Sequence, residues 1–194
     1  MMKRDDAMRN VPMPLVLFLC FFCAAAPGCS TAPGTSYERA DLVRDAEAKL
    51  DLFESTNQDL HGLYGDSSAA VAVFPKVTEG GLIIGYGSGQ GVLFEDGEVT
   101  GYCALDEGSG GALIGVKQGT QFVYLEDDRA VREFKGGGME LTAQVEAIAA
   151  NAKASKQAEY VNGIAVIVVD SKGLMAEASV SGQKFRFVSK DAVQ

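Results

Sequence analysis

The chain has 194 residues, with 26 acidic side chains against 17 basic ones and a net charge of −9. That balance, with no Lys/Arg cluster to offset it, argues against nucleic acid and against electrostatic docking on anionic lipid. One histidine and four cysteines are too few for a zinc site once the leader described below is removed, and one domain is expected at this length.

Residues 1–28 read as an export leader. Lys3, Arg4 and Arg9 precede an apolar run from Pro12 to Ala26 that falls short of the roughly 20 apolar residues a membrane span requires. A basic start, a short apolar centre and small residues after it describe a secretory signal. The segment Ala26-Pro27-Gly28-Cys29-Ser30 then resembles the lipobox of bacterial lipoproteins. The resemblance implies that Cys29 becomes the first residue of the mature chain and carries a diacylglycerol on its sulfur. It also implies, through Ser30, sorting to the periplasmic side of the outer membrane. The alternative is ordinary secretion with a cut after Ala24-Ala25-Ala26, which would leave Pro27 first, and the fixed φ of proline disfavours such a cut. Loss of residues 1–28, with three basic and two acidic side chains, leaves 166 residues and a net charge of −10. Cys20 and Cys23 leave with the leader, so Cys103 has no intramolecular partner and reads as a small buried hydrophobe.

Residues 29–36 are small and polar and are expected to form a flexible tether; residues 37–190 form the domain. A helix is predicted over Tyr37–Phe53, capped by Thr35 or Ser36, with Val43, Ala46, Leu50 and Phe53 on one face. Its other face is acidic, which favours core packing over membrane binding. Strands are predicted at Ala69–Phe74, ending at Pro75, and at Leu82–Phe94, with a turn at Glu95-Asp96-Gly97-Glu98. Further strands follow at Val99–Leu105, Ala112–Val116 and Thr120–Leu125. Asp127 or Asp128 caps a short helix, Arg129–Lys135, with Val131 and Phe134 facing inward and Gly136-Gly137-Gly138 ending it.

Residues 139–154 suit a helix by composition and a strand by alternation. Ile164–Val169 is an unbroken apolar run that reads as a strand buried on both faces. A turn at Asp170-Ser171-Lys172-Gly173 leads to strands at Leu174–Val180 and Lys184–Val188. The fold class is α+β: a single compact domain with a twisted, glycine-rich, mostly antiparallel sheet, one N-terminal helix and one short internal helix.

Thirteen of the 23 glycines lie between Gly80 and Gly119, and Gly85, Gly87, Gly89 and Gly91 repeat at every second position. In a strand that period bares one face, so that another backbone or a flat ring can approach or the sheet can bend. A phosphate-cradling loop would instead precede a helix, and here Val92-Leu93-Phe94 and a turn follow.

Five segments in order resemble the SYLF domain over about residues 40–187. They are Ala70–Lys76 (AVAVFPK), Gly80-Gly81 with the alternating glycines, Gly115–Gly119 (GVKQG), Asp128–Phe134 (DRAVREF) and Asp170–Ala176 (DSKGLMA). The resemblance implies a lipid-binding or membrane-associated module, whose eukaryotic members bind phosphoinositides and, in fungi, actin. Bacterial members are commonly secreted lipoproteins. It also favours the strand reading of residues 139–149.

No catalytic residue is assigned. A hydrolase would have to be built around His61, the only histidine, without a Gly-x-Ser-x-Gly elbow. Glu126-Asp127-Asp128 lacks the ligand spacing of a calcium loop and reads as a helix start. No metal and no cofactor are expected. The expected function is a non-catalytic, lipid-anchored envelope protein whose partners are the membrane, through Cys29, and possible phospholipid. The alternatives are a scaffolding module that pairs through an exposed strand edge at Lys184–Val188 and, weakest, a hydrolase using His61.

Overall fold

The computed structural model describes residues 30–57, 67–80, 85–109, 116–137, 139–141, 147–149, 160–170 and 182–193. In chain order these residues form helix α1 (Ser36–Thr56), strands β1 (Ala70–Gly80), β2 (Gly85–Glu95), β3 (Glu98–Ser109) and β4 (Val116–Leu125), and helix α2 (Asp128–Lys135). Strands β5 (Ala147–Ala149), β6 (Ile164–Asp170) and β7 (Gln183–Ser189) and a 3-10 turn (Lys190–Val193) follow. The strands make one sheet in the order β5-β6-β4-β1-β2-β3-β7, antiparallel throughout except between β5 and β6. The fold is α+β, as composition and patterning predict.

Among the described residues one helix covers each face of the sheet, and strand alternation sorts its side chains between them. Phe74, Leu93, Leu105, Val123, Leu125 and Phe185 form one cluster with Ala130, Val131 and Phe134 of α2. Val73, Val92, Phe94, Tyr102, Phe122 and Tyr124 form the other with Ala46 and Phe53 of α1. Strand β6 serves both: Ile164, Val166 and Val168 enter the α2 cluster and Ala165 and Ile167 the α1 cluster. An all-apolar run therefore costs nothing in exposed surface at this position.

Helix α1 begins with a capping box. The Thr35 side chain accepts from the Glu38 amide while the Glu38 carboxylate accepts from the Thr35 amide, which satisfies two of the donors a helix start leaves open. Asp127 caps α2, its Oδ1 accepting from the Ala130 amide at 2.8 Å. Asp96 and Gly97, with φ of 50° and 78°, make the two-residue type I′ turn that suits strand twist.

Several boundaries differ from the sequence reading. Pro75 does not end β1: two residues, Phe74 and Pro75, oppose Gly91 alone in a bulge between Val73 and Lys76, and a bulge is where a central strand tolerates a residue without an N–H. Strand β3 runs on to Ser109, and residues 116–125, expected to fall in two strands, form one. The segment expected to be a flexible tether is packed down from Ser30 onward. Gln90 Nε2 donates to the Ser30 carbonyl at 2.8 Å, and Ala32 is buried in the α1 cluster.

The edge at Lys184–Val188 is not wholly open. Met139–Leu141 pairs with its N-terminal half through Leu141 N to Gln183 O (2.9 Å) and Phe185 N to Met139 O (3.3 Å). Within the ambiguous stretch 139–154, Ala147–Ala149 is strand. The expected strands at Leu174–Val180 and residues 112–115, and the leader with Cys29, lie outside the described residues.

Candidate functional site

Helix α1 leaves an open cleft of about 680 Å³ between its C-terminal half and the sheet. Phe53, Phe122 and Val169 line it, and Leu52 stands at its lip, 57% exposed. The Phe53 and Phe122 rings meet at 4.6 Å between centroids with a 32° tilt, a contact that fixes the helix over β4. Lys49 of α1 and Lys76 of β1 line the cleft from helix and sheet, with Asp45 also on the helix side. The bulge at Pro75 shapes the sheet wall. Thr120 Oγ1 donates to the Pro75 carbonyl at 3.0 Å, so the carbonyl that the bulge frees is bonded.

An open, largely apolar hollow of this size with a few charged groups at its margin is the usual form of a small-molecule site. Its chemistry suits an amphiphile, with hydrocarbon against Leu52, Phe122 and Val169 and an anionic head near the lysines.

The opposite face carries a polar row. Glu79, Gly87, Glu107 and Gln183 follow one another across β1, β2, β3 and β7 in register. Because Gly87 has no side chain, the two carboxylate stems close over it: a Cβ there would lie 3.2 Å from Glu107 Cβ and 3.2 Å from Glu79 Cγ. Gln183 Nε2 donates to Glu107 Oε2 at 2.9 Å, and Gln121 Nε2 donates to Gln183 Oε1 at 2.7 Å. Burial pushes the Glu107 carboxyl above the usual carboxylate range, and the Glu79 charge adds to this against the Gln183 hydrogen bond. Glu79 is raised by burial, with Lys117 opposing.

Of the residues singled out from sequence, Cys29 and His61 lie outside the described residues. Asp127 and Asp128 are the cap and first residue of α2. Cys103 is buried, and burial pushes its thiol far above the ordinary range, as suits a packing residue. Among the described residues no group of three or more His, Cys, Asp or Glu side chains could hold a metal. No helix among them is long and apolar enough to cross a membrane.

Sequence reading did not single out Lys49, Lys76, Phe122 or Gln90. Lys49 and Lys76 belong to different elements, and nothing local marks them as neighbours. No protein-family model matches the chain. Over 83 residues the chain is 32% identical to a protein named beta cell expansion factor A from Aeromonas veronii, an alignment covering 43% of this chain and 31% of that protein. The chain thus spans under a third of the length of this relative.

Proposed function

We propose that this is a non-enzymatic lipoprotein of the cell envelope, acylated at Cys29 and held on the periplasmic side of the outer membrane, with a SYLF-like domain that binds an anionic lipid. The observation that carries the lipid reading is the cleft beneath α1, where an apolar floor and two lysines coexist in a chain that is otherwise strongly acidic. The lipobox-like segment at Cys29 supports the anchor.

Co-sedimentation of residues 30–194 with liposomes, with and without anionic lipid, tests the lipid reading. Binding is expected to favour anionic vesicles and to fall about tenfold in Leu52→Ala, the equivalent of roughly 1.4 kcal/mol. Lys76→Glu is expected to weaken it further. Absence of binding to any bilayer would remove the lipid reading. A scaffolding role through the β7 edge has less template available, because Met139–Leu141 already pairs with Gln183–Phe185.

A further inference from the structure

Every residue that lines the cleft beneath α1 lies in the described part of the chain. On the helix side the wall runs from Asp45 to Asn57, and at 1.5 Å of rise per residue this is a trough about 18 Å long. On the sheet side the apolar surface is continuous: Val169 pairs with Thr120 and so lies diagonal to Phe122, and the Phe53 ring packs on Phe122. One leaflet of a bilayer holds its acyl chains within about 15 Å, half of a hydrocarbon core about 30 Å thick. The trough thus has the length of one extended acyl chain.

Volume and charge narrow the occupant further. The cleft holds about 680 Å³, and at about 30 Å³ for each water-sized group that is room for roughly 20 non-hydrogen atoms. A fatty acid, or the single chain of a lysolipid with its head at the open side, fits this count, whereas a diacyl phospholipid has more than twice as many atoms. The charged groups lining the cleft are Lys49, Lys76 and Asp45, which sum to one positive charge. That charge matches a head with a single negative charge, a carboxylate or a phosphodiester, rather than a phosphomonoester, which carries about −1.5 to −2 at pH 7.

We propose that the cleft takes one single-chain, monoanionic amphiphile, a free fatty acid or a lysophospholipid, in preference to a diacyl lipid. This rests on the reading of the cleft as the lipid site. Hydrocarbon lies along Phe122 and Val169, and the head stands beside Lys49 and Lys76. Hydrolysis of one ester bond of a diacyl phospholipid consumes a water and yields both molecules, a carboxylate and a lysolipid alcohol, so deacylation of membrane lipid is the class of reaction that supplies the ligand.

The test is calorimetric titration of residues 29–194 carrying Cys29→Ala, which has no acyl chain of its own and needs no detergent. Palmitoyl lysophosphatidylglycerol and dioctanoyl phosphatidylglycerol have the same head and the same number of acyl carbons, in one chain or in two. Below their critical micelle concentrations the lysolipid is expected to bind at one per protein and about tenfold or more tightly than the dioctanoyl lipid. Palmitate is titrated beside them, and the tighter of the two single-chain lipids identifies the source. Palmitoyl lysophosphatidylcholine, with no net charge, is expected to bind several-fold more weakly than the glycerol lysolipid. Ala48→Trp, at an exposed position lining the cleft, fills the trough and is expected to weaken single-chain binding about tenfold with little change in Tm. Dioctanoyl phosphatidylglycerol binding as tightly as the lysolipid, an equal response to the choline lysolipid, or binding that Ala48→Trp leaves unchanged overturns the proposal. Protein that co-sediments with anionic vesicles but takes up none of the monomeric lipids also overturns it, and leaves the lipid reading standing. Absence of binding to monomeric lipids and to vesicles alike overturns both.

Discussion

Gly91, the last of the alternating glycines, and Gly101 of β3 show at the level of single atoms what a bare position in a strand admits. A Cβ on Gly91 would lie 2.6 Å from the Val73 carbonyl oxygen and 2.7 Å from Phe74 Cδ1; one on Gly101 would lie 2.4 Å from Phe187 Cε2. Aromatic rings and a bulged backbone occupy the space that side chains would take. Gly91→Ala and Gly101→Ala are each expected to destabilise the domain by about 1–3 kcal/mol through overpacking, measured by urea unfolding. A Cβ on Gly97 would meet no atom within 4 Å, but the φ of this residue is 78°, so its substitution strains the turn and leaves the packing untouched. The Glu107 carboxyl makes a prediction in pH. Burial and the nearby Glu79 raise it in the folded state, so the native protein holds this proton to higher pH than the unfolded chain does. Its contribution is therefore most favourable below the ordinary carboxylate value and declines as pH rises from there through the raised native value. Glu107→Gln keeps an acceptor for Gln183 and removes the buried charge. It is expected to raise Tm at pH 7 by about 2–4 °C and to flatten the pH dependence of stability in that range; an unchanged or lower Tm at pH 7 would contradict the account.

Elements were legible where the determinant is local. Thr35 and Asp127 cap helices for a reason contained in three residues, and Asp96-Gly97 turns because both positions need positive φ. Thr35→Ala removes the acceptor for the Glu38 amide while leaving the residue-35 amide to the Glu38 carboxylate, and is expected to cost about 1 kcal/mol, read from the denaturation midpoint. Asn162-Gly163 is a second turn of the same kind, with φ of 55° and 81° and reciprocal bonds between Val161 and Ile164. It was equally readable from the dipeptide, and a reading that begins the strand at Ile164 misses it. Pro75 is the opposite case. Local rules make it a strand terminator, but β1 has neighbours on both sides, and the pairing on either flank carries the strand through a bulge.

For the whole molecule, the two clusters explain why β6 is apolar without interruption and why α1 has a buried stripe despite its acidic composition. The cleft and the fixed Ser30 are properties of the same scale, since each needs residues from α1 or the N-terminal segment and from the sheet. At this scale the localisation can also be tested: Cys29→Ala is expected to move the protein from the outer-membrane fraction to the soluble periplasm, and a variant that still fractionates with the membrane would contradict the anchor.

The amino-acid sequence alone determined the fold class, the Asp96-Gly97 turn and the two-sided strand β6, and narrowed each helix cap to two residues, because periodicity, capping and backbone freedom act over a few residues. Only the tertiary structure decided that Pro75 lies inside a strand, that Lys49 and Lys76 share a cleft, that Glu79 and Glu107 meet over Gly87, and that Ser30 is held by Gln90. Those outcomes depend on strand order and register, which join residues far apart in the chain through hydrogen bonds and packing that no local pattern encodes.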